Sequence, residues 1–484
     1  MTHAMPADAP VLWWIRRDLR LADNPALDAA LKAAQATGAP VIPVFIFDQE
    51  DEALGAAPRF RLGLGLEHLQ GRLRAMGSDL ILRRGEAAAE LDDVIAQTGA
   101  GAVHWSRAYD PKSIERDTAI KEALKARGLH AQSHAGHLLF EPWTVATKTG
   151  GMYRVYSPFW KAVRTRDVAE LIPAPTHIPA PATWPSSAQL SDWNLAARMN
   201  RGAAIVAQHC RVGEEAAEAR LRDFIDSRVA HYATARDLPA VDATSGLSEN
   251  LAWGEISPRR IWHMGVAAME GSAAAGAETF LKEIVWREFA YHLMFHTPHI
   301  LTTSWRPEWE SFSWSDGATE PLLAWKQGRT GFRFVDAAMR EMYVTGKMHN
   351  RARMIVASLL TKHMLTDWRI GQKWFEECLV DWDPASNAMG WQWVAGSGPD
   401  ASPFFRVFNP DGQLDKFDPK GVYQAMWIAE GQRNPPSKAL QFYEAMPRSW
   451  DLSPDMARPR PVLDLKAGRE RALEAYSARD KGAA

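Results

Sequence analysis

The sequence predicts an N-terminal α/β domain with a parallel sheet, joined by a linker to a larger all-α domain. Three observations predict it. Residues 11–140 alternate short apolar runs with helical stretches. A Pro-rich passage, L-I-P-A-P-T-H-I-P-A-P-A-T-W-P, occupies 171–185 and disfavours helix and strand alike. From about Trp193 onward the apolar residues recur almost wholly at helical spacing. The expected division is an α/β domain over 1–140, a linker over 141–199 and a helical domain over 200–484. The length, 484 residues, exceeds what one core usually covers, which suits more than one domain.

Residues 11–15, 41–47, 80–82 and 102–105 are short apolar runs and are expected as strands. Stretches 24–34, 59–76 and 112–127 are the helices between or after them. This β-α-β rhythm implies a parallel, Rossmann-like sheet covered by helices. No G-x-G-x-x-G follows the first strand, so a standard dinucleotide fingerprint is missing. In the second half, 206–230, 258–269, 277–295, 331–343, 350–364 and 370–380 carry helical periodicity.

A formal net charge of -2 leaves no global positive field, so any nucleic-acid surface must be a local patch. Two cysteines, Cys210 and Cys378, lack metal-type spacing, which offers no zinc site and suits a reducing compartment. The opening M-T-H-A-M-P-A-D-A-P lacks the basic and apolar regions of a signal peptide, and no run is long enough to span a membrane. A cytoplasmic, monomeric protein with no membrane partner is expected. The chain has 21 Trp against 9 Tyr and 18 Phe. Most of these indoles serve as core filler, while a handful are expected to stack on a ligand or carry electrons.

Several clusters combine chemistry that a core does not need. Glu283, Trp286 and Arg287 stand at i, i+3 and i+4 on one helix face. That face is either an exposed polar surface with one half-buried Trp or the wall of a pocket for a flat ligand. Asn350, Arg353 and Met354 repeat the spacing, with Arg351 off that face; a salt-bridged helix start capped by Asn accounts for them equally. Asp381 and Asp383 have no His at ligand spacing, so metal binding is not expected. They either remain solvated after a helix, or accept hydrogen bonds from an N–H-rich ring or pair with Arg353. The segment D-A-T-S-G-L-S-E-N at 242–250 gathers hydroxyls around a glycine, as a phosphate cradle or a plain cap and turn would.

Taken together, the segments V-L-W-W-I-R-R-D-L-R-L-A-D-N-P-A-L (11–27), Y-R-V-Y-S-P-F-W-K (153–161), T-S-G-L-S (244–248), W-R-E-F (286–289), H-N-R-A-R-M (349–354) and G-W-Q-W (390–393) resemble the photolyase/cryptochrome flavoprotein family over nearly the whole chain. The resemblance implies FAD bound in the helical domain. Tyr232, Thr244, Ser245, Leu247 and Ser248 match diphosphate and ribose contacts. Glu283, Arg287, Asn350, Arg353, Asp381 and Asp383 match the flavin and adenine surroundings. Gly246 stands where relatives often carry a larger, sometimes basic residue, and Lys347 where many have an aromatic one.

Most of all, the chain resembles the branch that repairs cyclobutane pyrimidine dimers (CPD) in DNA with blue light; the alternatives are a cryptochrome-type photoreceptor and a (6-4) photolyase. Asn387 matches the position facing flavin N5, where plant-type cryptochromes place an acid able to protonate it. A carboxamide is no practical proton source, which favours repair. Met354, where the (6-4) branch carries histidine chemistry, suits the ring faces of a cyclobutane dimer, and no long tail follows Pro410 to add a signalling segment. Trp286 and Trp393 match the aromatic walls of the lesion pocket, with Glu283 and Asn350 as hydrogen-bond partners. Trp391, Trp368 and Trp314 match the electron-relay triad, and Arg351 and Arg406 match phosphate contacts beside the lesion. For the antenna, Ile114-Glu115 replaces the Asn-Glu pair of folate-binding relatives. A differently bound 5,10-methenyltetrahydrofolate is expected, with a deazaflavin or no antenna as alternatives.

Overall fold

The structure, a computed structural model, describes residues 8–317, 319–400 and 405–479. The opening residues read above for a signal peptide lie outside the described residues up to position 7. Five strands form one sheet: β1 (Val11–Ile15), β2 (Val41–Phe47), β3 (Ile81–Arg84), β4 (Ala102–Ser106) and β5 (His130–His134). The order is β3-β2-β1-β4-β5, and every pairing is parallel. β1 is central, with Val11 opposite both Val41 and Ala102.

Both faces of the sheet are covered, which explains why its inner strands are apolar runs instead of alternating patterns. On one face Leu12, Trp14, Ile42 and Val44 pack with Leu91, Val94, Ile120 and Leu124 from the helices Ala87–Thr98 and Pro111–Ala126. On the other, Val11, Trp13, Ile15 and Phe45 pack with Leu62, Leu66 and Leu69 from the helix Ala56–Ala75. That second cluster continues without a break into Trp253, Phe375 and Leu379 of the helical half.

Several sequence expectations change. β5 is an edge strand reading H-A-Q-S-H, with only Ala131 buried, so it carries no apolar run to reveal it. The helix Ala87–Thr98 was also not expected. The third strand starts at Ile81 and runs to Arg84, one residue later than its apolar run. The helix expected over 206–230 is two helices, Ala203–Ala207 and Glu214–Ser227. Gly213 between them adopts φ 95°, and a Cβ there would run into the His68 ring. The helix at Asn350–Ser358 is followed by a wide π turn at Leu359–His363 instead of a regular continuation. The Pro-rich stretch 171–185 is free of helix and strand, whereas Tyr156–Val163, upstream within the expected linker, is helical. Among the described residues, no helix is long and apolar enough to cross a membrane.

A buried ionic cluster joins the two halves. Arg61 is fully buried on the helix Ala56–Ala75. Its Nε donates to Glu249 Oε2 at 3.1 Å, and Nη1 and Nη2 donate to the two Glu255 oxygens at 2.9 and 2.6 Å. The second Glu249 oxygen accepts from Arg211 N at 3.1 Å and Lys347 Nζ at 2.5 Å. Lys347 is therefore a structural partner of this cluster. Burial opposes the Arg61 charge, but Glu255 and Glu249 outweigh it and push its pKa above the usual value. Nearby, Gly254 (φ 65°) lets the backbone approach the Arg17 carbonyl where a Cβ would collide.

Replacing Arg61 with Leu leaves the buried Glu255 without its cation, while Glu249 keeps Lys347. Urea unfolding of Arg61→Leu should show a loss of about 3–5 kcal/mol. An unchanged midpoint would mean that the cluster contributes nothing to holding the halves together.

Candidate functional site

Several elements carry the residues singled out above, and long-range ion pairs and hydrogen bonds tie many of them together. The 23-residue helix Ala274–His296 supplies Glu283, Trp286 and Arg287. Glu283 forms an ion pair with Arg236. Trp286 lies flat on Tyr156, with ring centroids 3.6 Å apart and planes 6° from parallel. Tyr156 is fixed in turn by its hydroxyl, which donates to the Lys282 carbonyl at 2.6 Å. Arg287 turns toward the other domain: Nη1 donates to the His137 carbonyl at 2.9 Å, and Nη2 lies 2.8 Å from His137 Nε2. Burial and the Arg287 charge hold the His137 imidazole well below its ordinary pKa, so the ring is neutral.

The next helix residue, Glu288, accepts from the Leu139 and Phe140 N–H groups at 2.8 and 3.1 Å. Burial pushes its pKa up to about 7, against the pull of Arg287.

The helix Asn350–Ser358 is the second wall. Its cap is His349, whose Nδ1 accepts from Arg351 N at 3.1 Å, so Asn350 does not serve as the cap. Burial holds His349 down at about 4, keeping that nitrogen free to accept. Asn350 is exposed. Arg353 donates to Asp381 Oδ2 at 2.7 Å and to the Met348 carbonyl at 2.9 Å. Arg351 is not isolated from Met354: its Nη1 lies 3.7 Å from the sulfur, and Nη2 pairs with Asp237 at 2.7 Å.

Asp381 and Asp383 are both buried, so the solvated alternative is excluded. Asp383 caps the helix Pro384–Ala395: Oδ1 accepts from Ser386 N at 2.7 Å, and Oδ2 accepts from the Tyr291 hydroxyl at 2.8 Å. Its carbonyl accepts from Asn387 Nδ2 at 2.9 Å, which fixes the buried carboxamide. On the same helix, Trp393 Nε1 donates to the Asp400 carbonyl at 3.2 Å. The Asp400 carboxyl meets the Tyr156 N–H, so Trp393 and Trp286 are linked through Tyr156.

The loop before the helix Ser248–Ala252 is built on Arg220. That guanidinium donates to the Ser245 and Thr244 carbonyls at 2.5 and 3.1 Å and to Asp242 at 2.8 Å. With both carbonyls bound behind it, the loop leaves hydroxyls and N–H groups for its other side. Gly246 adopts φ 62°, and a Cβ there would stand 2.8 Å from Arg220 Nη2. Leu247 is buried and Ser248 exposed. Tyr232 is buried against Phe224 and Phe280, with Arg236 over its ring at 5.3 Å.

Trp391, Trp368 and Trp314 each meet the helix Trp368–Cys378 or the residues just before it. Trp391 rests on Gly371, where any side chain would collide with its ring. Trp368, fully buried, is one turn earlier on the same helix, Trp368–Cys378. Trp314 lies beside the residues just before Trp368, because Ser315 bridges Thr366 in parallel and Ser315 N donates to the Leu365 carbonyl at 2.7 Å. Arg406 is exposed, two residues before Phe408, whose N–H donates to Ser358 Oγ at 3.1 Å.

Spacing could not reveal Arg220, Arg236, Asp237, His137 or Tyr291, since each acts through a partner far away in sequence. Tyr156 fell within a quoted motif but carried no signal of its stack. Two buried polar atoms, Asp381 Oδ1 and Arg287 Nε, have no protein partner, an acceptor and a donor left available for a ligand.

Comparison with known proteins covers both halves. The model described as DNA photolyase matches residues 11–182, and the one described as FAD binding domain of DNA photolyase matches 280–478. A deoxyribodipyrimidine photo-lyase of Agrobacterium fabrum is 44% identical over 475 residues, 97% of this chain and 98% of that one. The crystal structure of a bacterial class III photolyase from Agrobacterium tumefaciens matches with a TM-score of 0.89 at 43% identity, covering 98% of each chain. Cryptochrome-2 of Arabidopsis thaliana is 33% identical over 496 residues, 98% of this chain but 79% of that one.

Gly246→Val combines a disfavoured backbone region with a collision against Arg220. It should destabilise the protein by about 1–3 kcal/mol, read as a lower urea midpoint. Wild-type stability in that variant would mean that the loop does not depend on Arg220.

Proposed function

Because the chain belongs to the DNA photolyase family of flavoproteins, we propose that it repairs cyclobutane pyrimidine dimers in DNA with blue light, using bound FAD. The observation that carries this reading is Asn387. Its carboxamide is buried and pinned to the Asp383 carbonyl, at the position the family sets against flavin N5. An amide there holds no proton to give at neutral pH, which supports repair over the photoreceptor reading.

FAD fits the residues present. The unpartnered Asp381 Oδ1 accepts from a ring N–H, and Arg287 Nε donates. Asn350, Arg353, Asp383 and Glu283 complete the surroundings of the rings. Thr244, Ser245, Leu247 and Ser248 hold the diphosphate and ribose with hydroxyls and N–H groups, beside Tyr232. Reduced FAD, when bound, supplies one electron on excitation and recovers it after the cyclobutane ring has opened.

The protein's part is position and electrostatics. A dimer stacks and pairs poorly, so turning it out of the duplex costs less than for normal bases. Trp286 and Trp393 receive its rings, Met354 supplies a soft apolar contact, and Glu283 and Asn350 hydrogen-bond its polar edges. Arg351 and Arg406 contact phosphates, giving a salt-sensitive affinity largely independent of sequence. Trp391, Trp368 and Trp314 pass electrons inward from the surface to return the cofactor to its reduced form.

For the antenna, the proposal is 5,10-methenyltetrahydrofolate in a cleft of about 200 Å³, with a deazaflavin or no antenna as the alternatives. Tyr109, Trp143 and Phe295 offer it ring surfaces, and Lys121 suits its carboxylates. Ile114 lines the same cleft.

Blue light on the reduced protein with dimer-bearing oligonucleotides should restore the pyrimidines, measured by chromatography. Persistence of the dimers while the flavin is reduced would sink the reading, and repair of (6-4) lesions in their place would move it to the sister branch. Trp391→Phe should slow photoreduction of oxidised flavin by about tenfold or more, ~1.4 kcal/mol of barrier, yet leave repair by chemically reduced enzyme intact. Equal loss of both would exclude a relay role.

A further inference from the structure

Two consecutive residues of opposite charge, Arg236 and Asp237, bind the two walls of the site. Arg236 pairs with Glu283 on the helix Ala274–His296. Asp237 pairs with Arg351 on the helix Asn350–Ser358, with 2.7 Å between Oδ2 and Nη2. The dipeptide therefore spans the gap between the helices and occupies the charged end of one residue on each. Both bound residues are ones that the functional reading assigns to damaged DNA.

The surroundings of Arg351 show what the carboxylate does there. The guanidinium lies over the Phe417 ring at 4.6 Å, and its Nη1 touches the Met354 sulfur at 3.7 Å. Ring and thioether thus hold the guanidinium from sides that Asp237 does not occupy. The Asp237 side chain is 37% exposed, and that of Arg351 is 20% exposed. An anion can therefore reach the pair from solvent, and a partly exposed pair is weak enough to exchange. A carboxylate and a phosphate oxygen offer the same acceptor chemistry to a guanidinium.

We propose that Asp237 is an internal competitor for DNA: its carboxylate takes the place of a backbone phosphate on Arg351 until DNA displaces it. This rests on the reading of Arg351 as a phosphate contact. DNA binding then exchanges one anion for another at Arg351, so the contact contributes less attraction than a free guanidinium would. The competitor acts on any DNA backbone, because phosphate contacts carry no sequence information. Affinity for undamaged DNA, which depends almost wholly on charge, is held down by it. The lesion complex keeps its stacking and hydrogen-bond contacts, which Asp237 does not oppose.

The test is fluorescence-anisotropy binding of the FAD-loaded, full-length protein to matched oligonucleotides with and without a dimer, over a salt series. Asp237→Asn should tighten binding to undamaged DNA about three- to tenfold and steepen the salt slope by about one. Asp237→Glu, which keeps the competitor, should bind like wild type. Arg351→Gln should weaken binding, and Asp237→Asn should add nothing on that background. Equal or weaker binding by Asp237→Asn, with Arg351→Gln still weakened, overturns the competitor and makes Asp237 a positioning residue. Wild-type affinity in Arg351→Gln overturns instead the reading of Arg351 as a DNA contact, and the competitor with it. An unchanged flavin absorption spectrum in each variant shows that the site remains folded.

Discussion

The arrangement depends on one buried cation. Arg61 comes from the α/β half, and the two carboxylates it neutralises come from the helical half, one of them directly after Ser248. A guanidinium with no water around it must be fully paired, and Glu249 and Glu255 satisfy it from two sides. The register of the short helix Ser248–Ala252 against the helix Ala56–Ala75 is thereby set by geometry, not by apolar contact alone. Lys347 adds a second cation to Glu249 and brings in the turn that precedes the helix Asn350–Ser358. The hydroxyl-rich loop and one wall of the site therefore share an anchor with the sheet domain.

A second line of polar contacts runs through the other wall. Asp383 accepts from Tyr291, whose hydroxyl lies 2.8 Å from His137 Nε2, and His137 meets Arg287. His137 and the Leu139–Phe140 backbone belong to the chain just after β5. The helix Ala274–His296 is thus held at one side by the exit of the sheet domain and at the other by the cap of the helix that bears Asn387. Both contact systems cross between domains, so the two halves behave as one support for the site.

The apolar framework was legible in the sequence, because strands buried on both faces and amphipathic helices announce themselves by period. β1, β2 and β4 and most long helices follow from that signal. β5 does not, since an edge strand with one buried residue has no pattern to read. At the broken helix, the close packing of Gly213 against the His68 ring was hidden, because His68 lies 145 positions away by numbering. Among the site residues, the pairing of Arg353 with Asp381 was an open alternative in the sequence, and the structure decides it. The partners Arg236, Asp237, Arg220 and His137 were illegible for a common reason. Local spacing says which residues share a face, but not which distant charge will meet it.

The Tyr156–Trp286 stack has a consequence for any planar guest. One face of the indole is already covered at van der Waals distance, and the covering ring is itself tethered by its hydroxyl. A planar guest can therefore stack only on the opposite face, so approach is one-sided. The indole's rotamer freedom is lost during folding, not on association, and a free energy of ordering that would otherwise weaken the complex is absent. The platform is rigid before its guest arrives.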